Sequence, residues 1–200
     1  MENRDEIGGE PLVLEGGINL GLGGLAPTFY IVLLAIMTAL TTVATIAFAI
    51  PIPLTSGFFN LGDALVMLSG VVLGPIGGLI AGGVGSAMGD VALGYIHFAP
   101  ITLVVKGFEG FFVGLLSIRT VRSLNRMSKW DFAGVLIGAF VMLGGYFVSE
   151  AFLLGLGVEY AFFELISFNI FQVIAGGIVA LLVGPIIRAF LNDTLGTKAS

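Results

Sequence analysis

Residues Phe59–Leu116 read FNLGDALVMLSGVVLGPIGGLIAGGVGSAMGDVALGYIHFAPITLVVKGFEGFFVGLL. The stretch is apolar and laced with glycine, yet it carries Asp63, Asp90, His97, Lys106 and Glu109. Ionisable groups inside lipid-spanning segments cost several kcal/mol each unless they face a cavity or a partner. Five of them in one apolar run therefore point to a site.

The rest of the chain sets the setting for that run. Of 200 residues, 57% are hydrophobic and only 10% charged, and mean hydropathy is +1.09. Soluble domains carry about 25% charged residues, so this composition describes an all-α integral membrane protein with one membrane domain. Glu2, Asp5, Glu6, Glu10 and Glu15 make the N-terminus acidic and contribute to the net charge of −5, which argues against nucleic-acid binding. The absence of cysteine removes disulfides, thiolate metal sites and cysteine nucleophiles. No basic segment runs directly into an apolar one at the N-terminus, so a signal peptide is not expected. Residues 1–28 read as a flexible cytoplasmic leader, 29–190 as the membrane domain and 191–200 as a cytoplasmic tail.

Six helices are expected. The first covers 29–50 and is stopped by Pro51 and Pro53, which lack an amide proton. The second covers 61–74. The third starts at Pro75, a favourable first helical position, and runs to 93, so the Gly74-Pro75 junction predicts an antiparallel hairpin. Gly78, Gly82 and Ser86 recur every four residues along it, with Gly85 and Gly89 as a second pair, a spacing that admits close helix approach. The remaining helices cover 99–118, 132–154 and 163–190, the last long enough to tilt or to begin at the interface. Arg119, Arg122, Arg126 and Lys129 follow the fourth helix, Arg188 and Lys198 lie at the end of the sixth, and Arg4 precedes the first. With an even number of spans all these charges share one side, so the positive-inside rule makes both termini cytoplasmic.

That orientation puts the polar residues at one depth. Asp63, Asp90, His97, Glu150, Glu164, Asn169 and Gln172 fall towards the outer ends of their helices. Lys106 lies about 10 Å further in, with Glu109 one turn deeper and spaced to pair with it at i, i+3. The pattern predicts an outward pocket above an apolar floor. Each residue also has a plainer reading. Asp63 can simply stabilise a helix N-terminus, and Lys106 with Glu109 can be a self-neutralising pair. Asn169 and Gln172 can be interhelical glue, His97 an interfacial loop histidine, and Phe58, Phe59, Tyr95 and Phe98 interfacial aromatics. Asp90 at a helix C-terminus opposes the dipole, which favours a hydrogen-bonding or ligand role. Enzyme motifs fail. Ser86 and His97 make a poor hydrolase dyad because Ser86 falls on the small-residue packing face. The glycines of GGLIAGGVG do not join a strand to a helix, and one histidine with no cysteine gives no transition-metal site. No cofactor is expected, and any ATP-driven work needs a partner.

The run NLGDALVML…GPIGGLIAGGVGSAMGD…GYIHFAPITLVVKGFEGFFVGLL resembles the substrate-binding S components of energy-coupling factor (ECF) vitamin transporters, in the riboflavin and hydroxymethylpyrimidine/pyridoxine group. The likeness covers 30–190 and is weakest in the fifth helix. Ala35-x-x-x-Ala39 resembles the family's docking motif for the coupling subunit, and Asn169-x-x-Gln172 with Gly176 its polar pair in the last helix. The resemblance implies a six-helix S-component bundle in a prokaryotic cell membrane. Its pocket would bind a small vitamin from outside, and it would assemble with a transmembrane coupling subunit and two cytoplasmic ATPases. It further implies that 51–60 gates the pocket beside the 94–100 loop, that Lys106, Glu109, Asn169 and Gln172 contact ligand, and that Asp90, His97 and Asp63 support them. A stand-alone secondary carrier or channel is the alternative, although the charge-poor inner halves of the helices offer no through-path.

Overall fold

The computed structural model describes residues 27–51, 58–120 and 126–195. Residues 1–26 of the leader, half of the tail, the centre of the expected gate and Arg122 lie outside them, as do Arg4 and Lys198. Helix α1 spans Pro27–Ala47. Two short antiparallel strands follow, β1 (Ile50–Pro51) and β2 (Phe58–Phe59), with Ile50 opposite Phe59. Next come α2 (Gly62–Leu93) and α3 (Ala99–Ser117), then α4 (Lys129–Val148), which ends in a wide π-helical turn, Ser149–Leu153. Helix α5 (Val158–Glu164) runs through a second π-helical turn, Leu165–Asn169, into α6 (Ile170–Leu195). Among the described residues, five stretches are long and apolar enough to cross a membrane. The architecture is that of an all-α, multi-pass membrane bundle.

Helix α2 is not one rod. At Gly74 the backbone turns to φ 78°, ψ −168°, a region closed to residues with a Cβ. Pro75 then restarts the helix without an amide of its own. The two arms fold back against each other. A Cβ on Gly82 would sit 2.8 Å from Val66 Cγ1, and one on Gly78 2.9 Å from Gly70 Cα. In a straight helix residues 70 and 78 stand about 12 Å apart. The break also strands backbone carbonyls, and the Tyr30 hydroxyl donates to that of Leu73 at 3.2 Å.

This folded α2 forms the centre of the bundle, with 78% of its apolar window buried against 28% for α1 and α4. Glycine makes that possible. Gly78 on α2 and Gly110 on α3 meet backbone to backbone, so a Cβ on either would strike the other's main chain. Lipid gives helices little hydrophobic reason to associate, and close van der Waals packing must supply it. A Gly110→Val protein should therefore lose stability by about 1–3 kcal/mol or more through overpacking, read as a lower unfolding temperature in detergent. Gly144→Val is the control, because nothing lies within 4 Å of that position.

One apolar cluster joins α1, α2 and α6 through Met37, Leu68, Val72 and Leu191. A second joins α2, α3, α4 and α6 through Met67, Val113, Val135 and Val173. The Thr42 hydroxyl adds an interhelical bond to the Gly85 carbonyl at 2.8 Å. Near the Gly74 end of the bundle, Ser128 caps α4 in a reciprocal box with Asp131. Arg188 binds the same carboxylate bidentately at 2.7 and 2.8 Å. Arg188 is thus a buried clamp between α4 and α6, not a loop charge reporting orientation. Arg119, Arg126 and Lys129 remain exposed at this end.

Candidate functional site

The polar residues gather at the opposite end of the bundle, where α1 finishes and α2 begins. Lys106 of α3 sits at their centre with 3% of its surface exposed. Its ammonium donates to Asp63 Oδ1 and lies 3.3 Å from Glu109 Oε2. The i, i+3 spacing supplies Glu109, whereas Asp63 comes from the first turn of α2, 43 residues away. Both carboxylates are completely buried. Two negative charges on one ammonium leave Asp63 Oδ2 and Glu109 Oε1 without hydrogen-bond partners. The plain reading of Asp63 as a helix-terminus charge is therefore incomplete, since it holds the lysine.

Lys106 also faces a small polar cavity at this end of the bundle. Asp63 and Glu109 stand behind the lysine and are not part of the wall. On one side the wall holds Asp90, Ser86 and Thr102, with Thr102 bonded to the Tyr146 hydroxyl at 2.9 Å. On the other it holds Glu150, Glu164, Asn169 and Gln172. Glu150 and Asn169 each sit in a π-helical turn, and Glu164 immediately precedes the second. Such turns shift the side-chain phase of a helix and recur at functional sites.

An amide chain closes the rim. The Asn60 amide donates to Gln172 Oε1 at 2.8 Å, Gln172 Nε2 donates to Asn169 Oδ1 at 3.1 Å, and Asn60 Oδ1 accepts from Gly62 at 2.7 Å. This tethers the start of α2 to α6 and leaves Asn169 Nδ2 unpartnered. Phe58 and Phe98 supply aromatic wall, and Phe58 stacks on Tyr95 with centroids 4.7 Å apart. His97 lies in the exposed turn before α3, away from the wall. Ser86 lines the cavity instead of serving only helix packing, and its hydroxyl has no hydrogen-bond partner, so no dyad with His97 exists.

Lys106, Asp90, Asn169 and Gln172 are thus brought onto one wall, with Asp63 and Glu109 behind it and His97 outside. The sequence puts Glu150 and Glu164 at this depth without marking them as site residues, although a carboxylate in an apolar helix is the available signal. Thr45, Thr102, Met142 and Tyr146, also on the wall, carry no such signal. Among the described residues, no group of His, Cys, Asp and Glu is arranged to hold a metal ion.

A lipid-exposed bundle enclosing a polar cavity suits a membrane transport protein. Residues 27–195 match the family model described as "ECF-type riboflavin transporter, S component". The chain belongs to that family. It is 40% identical over 153 residues to a Pyrococcus woesei protein described as "Uncharacterized protein in gap 3'region", covering 74% of this chain and 99% of that one. It is 29% identical over 157 residues to the "Thiamine precursor transporter HmpT" of Lactococcus lactis subsp. cremoris (strain MG1363), covering 78% and 86%. Membership of the family implies association with an ECF module and a small vitamin-type solute.

Proposed function

We infer that this chain captures a vitamin or vitamin precursor from outside a prokaryotic cell and delivers it for ATP-driven uptake. Its partners would be a transmembrane coupling subunit and two cytoplasmic ATPases. The observation that carries this is the cavity itself, a cluster of buried polar side chains at one end of an apolar bundle in a chain of this family. The family's riboflavin and the Lactococcus relative's thiamine precursor bracket the substrate class.

In this reading the two arms of α2 count as separate spans, giving six, with the membrane domain at 29–190 and both termini cytoplasmic. Exposed Arg119, Arg126 and Lys129 at the end away from the cavity support that orientation, because basic residues favour the cytoplasmic side. The cavity then opens outward. Lys106, Asp90, Asn169 and Gln172 touch the solute, Asp63 and Glu109 hold Lys106 in place, and His97 stands at the entrance. Ala35 and Ala39 receive the coupling subunit.

The test is mass spectrometry of small molecules released from protein purified gently in detergent, followed by uptake in cells with and without an ECF module. A stoichiometric vitamin-like molecule, with uptake that requires the module, is the expected result. Solute transport by the purified chain alone in liposomes would overturn the assignment in favour of a stand-alone carrier.

A further inference from the structure

The cavity wall is unbalanced in charge and in hydrogen-bonding capacity. Asp90, Glu150 and Glu164 bring three carboxylates to it, and Lys106 is its one cation among the described residues. That cation is already committed to Asp63 and Glu109. Glu164 Oε1 accepts from Tyr160 at 3.1 Å. Asp90 Oδ2 and Glu150 Oε2 are buried with no hydrogen-bond partner, on residues only 3% and 2% exposed. On the donor side, Asn169 Nδ2 is free, and the Ser86 hydroxyl can act either way. Buried carboxylate oxygens without donors are costly, and a ligand that supplies the donors recovers that cost through charge-assisted bonds. A neutral ring edged with carbonyls would instead face carboxylate oxygens and find few donors.

We propose that the cavity selects a small cationic ligand carrying N–H donors, a protonated amine or amino-substituted heterocycle, over neutral carbonyl-rich rings. Asp90 and Glu150 take its donors, and Asn169 holds its acceptor. Phe58 and Phe98 on the wall suit an aromatic ring, whereas the Tyr146 ring already carries the Lys106 ammonium 5.5 Å from its centroid. This rests on the reading of the cavity as the solute site, and it names the ligand chemistry that the site discriminates.

A matched pair of probes tests it. Pyridoxamine and pyridoxine share one ring and differ by an ammonium in place of a hydroxyl, and riboflavin serves as a neutral carbonyl-rich probe. Titrated calorimetrically into ligand-free purified protein, pyridoxamine should bind about tenfold tighter than pyridoxine, the worth of one charge-assisted bond. Glu150→Gln should bring the two affinities together, and Asp90→Asn provides the same test if the first variant does not fold. Equal or tighter binding of pyridoxine or riboflavin to the unmodified protein overturns the cation selectivity while the solute-site reading stands. A preference that survives in both variants overturns the roles of Glu150 and Asp90. Binding of none of the three probes overturns the cation selectivity, and the solute-site reading falls with it only if no small molecule is released from the gently purified protein.

Discussion

A Lys106→Met protein is expected to be purified in poor yield and to aggregate well below the unfolding temperature of the unmodified protein. The substitution keeps the length and the apolar stem of the side chain but removes the ammonium that Asp63 and Glu109 share. Both carboxylates are completely buried, and the other described ion pair, Arg188 with Asp131, lies near the far end of the bundle. Removing one partner of a buried pair typically costs about 3–5 kcal/mol, because the remaining charge stays unpaired in a low-dielectric interior. Here two charges are abandoned at once. Neutralising all three positions is predicted to be far milder, since replacing a whole buried charge cluster is often nearly neutral. The triple protein Asp63→Asn/Lys106→Met/Glu109→Gln should therefore recover a monodisperse elution profile. Light-scattering melts of the three proteins separate the cases. A Lys106→Met protein as stable as the unmodified one would show that the cluster is not held by charge.

The same cluster shows where sequence legibility stops. Lys106 and Glu109 can be paired from spacing alone, because residues three apart share a helix face. Asp63 cannot, since its position depends on α2 folding back at Gly74 and on glycine letting α3 lie against both arms. The break itself is legible. Glycine admits a positive φ and the proline after it has no amide to continue the helical ladder, so Gly-Pro inside an apolar run interrupts the helix. The long helices are legible too, because hydropathy reports burial in lipid directly. Helix α1 ends at Ala47, three residues before the expected limit, and the chain turns into β1 at Ile50. The last helical stretch begins at Val158, five residues early, because the short α5 leads into α6 through a π-helical turn that no periodicity announces. The π-helical turns also carry Glu150 and Asn169, so a fixed helical phase misjudges which way these side chains face. Thr45, Thr102 and Tyr146 look like ordinary residues of apolar helices, and only the packing of the helices around them gives them a common cavity.

Ala35→Trp and Ala39→Trp are expected to abolish uptake while leaving solute affinity within about twofold. Helix α1 packs mainly on α2, and Ala35 and Ala39 lie on its outer face beside exposed Val32, Ile36, Leu40 and Val43. In the isolated chain this face meets lipid, where an added indole displaces nothing. Thr45 is the one residue of α1 on the cavity wall, one to two turns beyond Ala39 along the helix, so the solute should not sense the change. A partner helix would sense it, because small residues four apart allow two backbones to come close. Overpacking such a contact costs about 1–3 kcal/mol, or about 5- to 150-fold in association, and the two substitutions together should reduce co-purification with the ECF module to background. Measuring affinity, co-purification and uptake on the same variants separates the possibilities. Uptake at the unmodified rate would move the docking surface elsewhere on the bundle. Loss of affinity in step with uptake would mean that α1 supports the cavity itself, and the division between a binding end and a docking face would have to be abandoned.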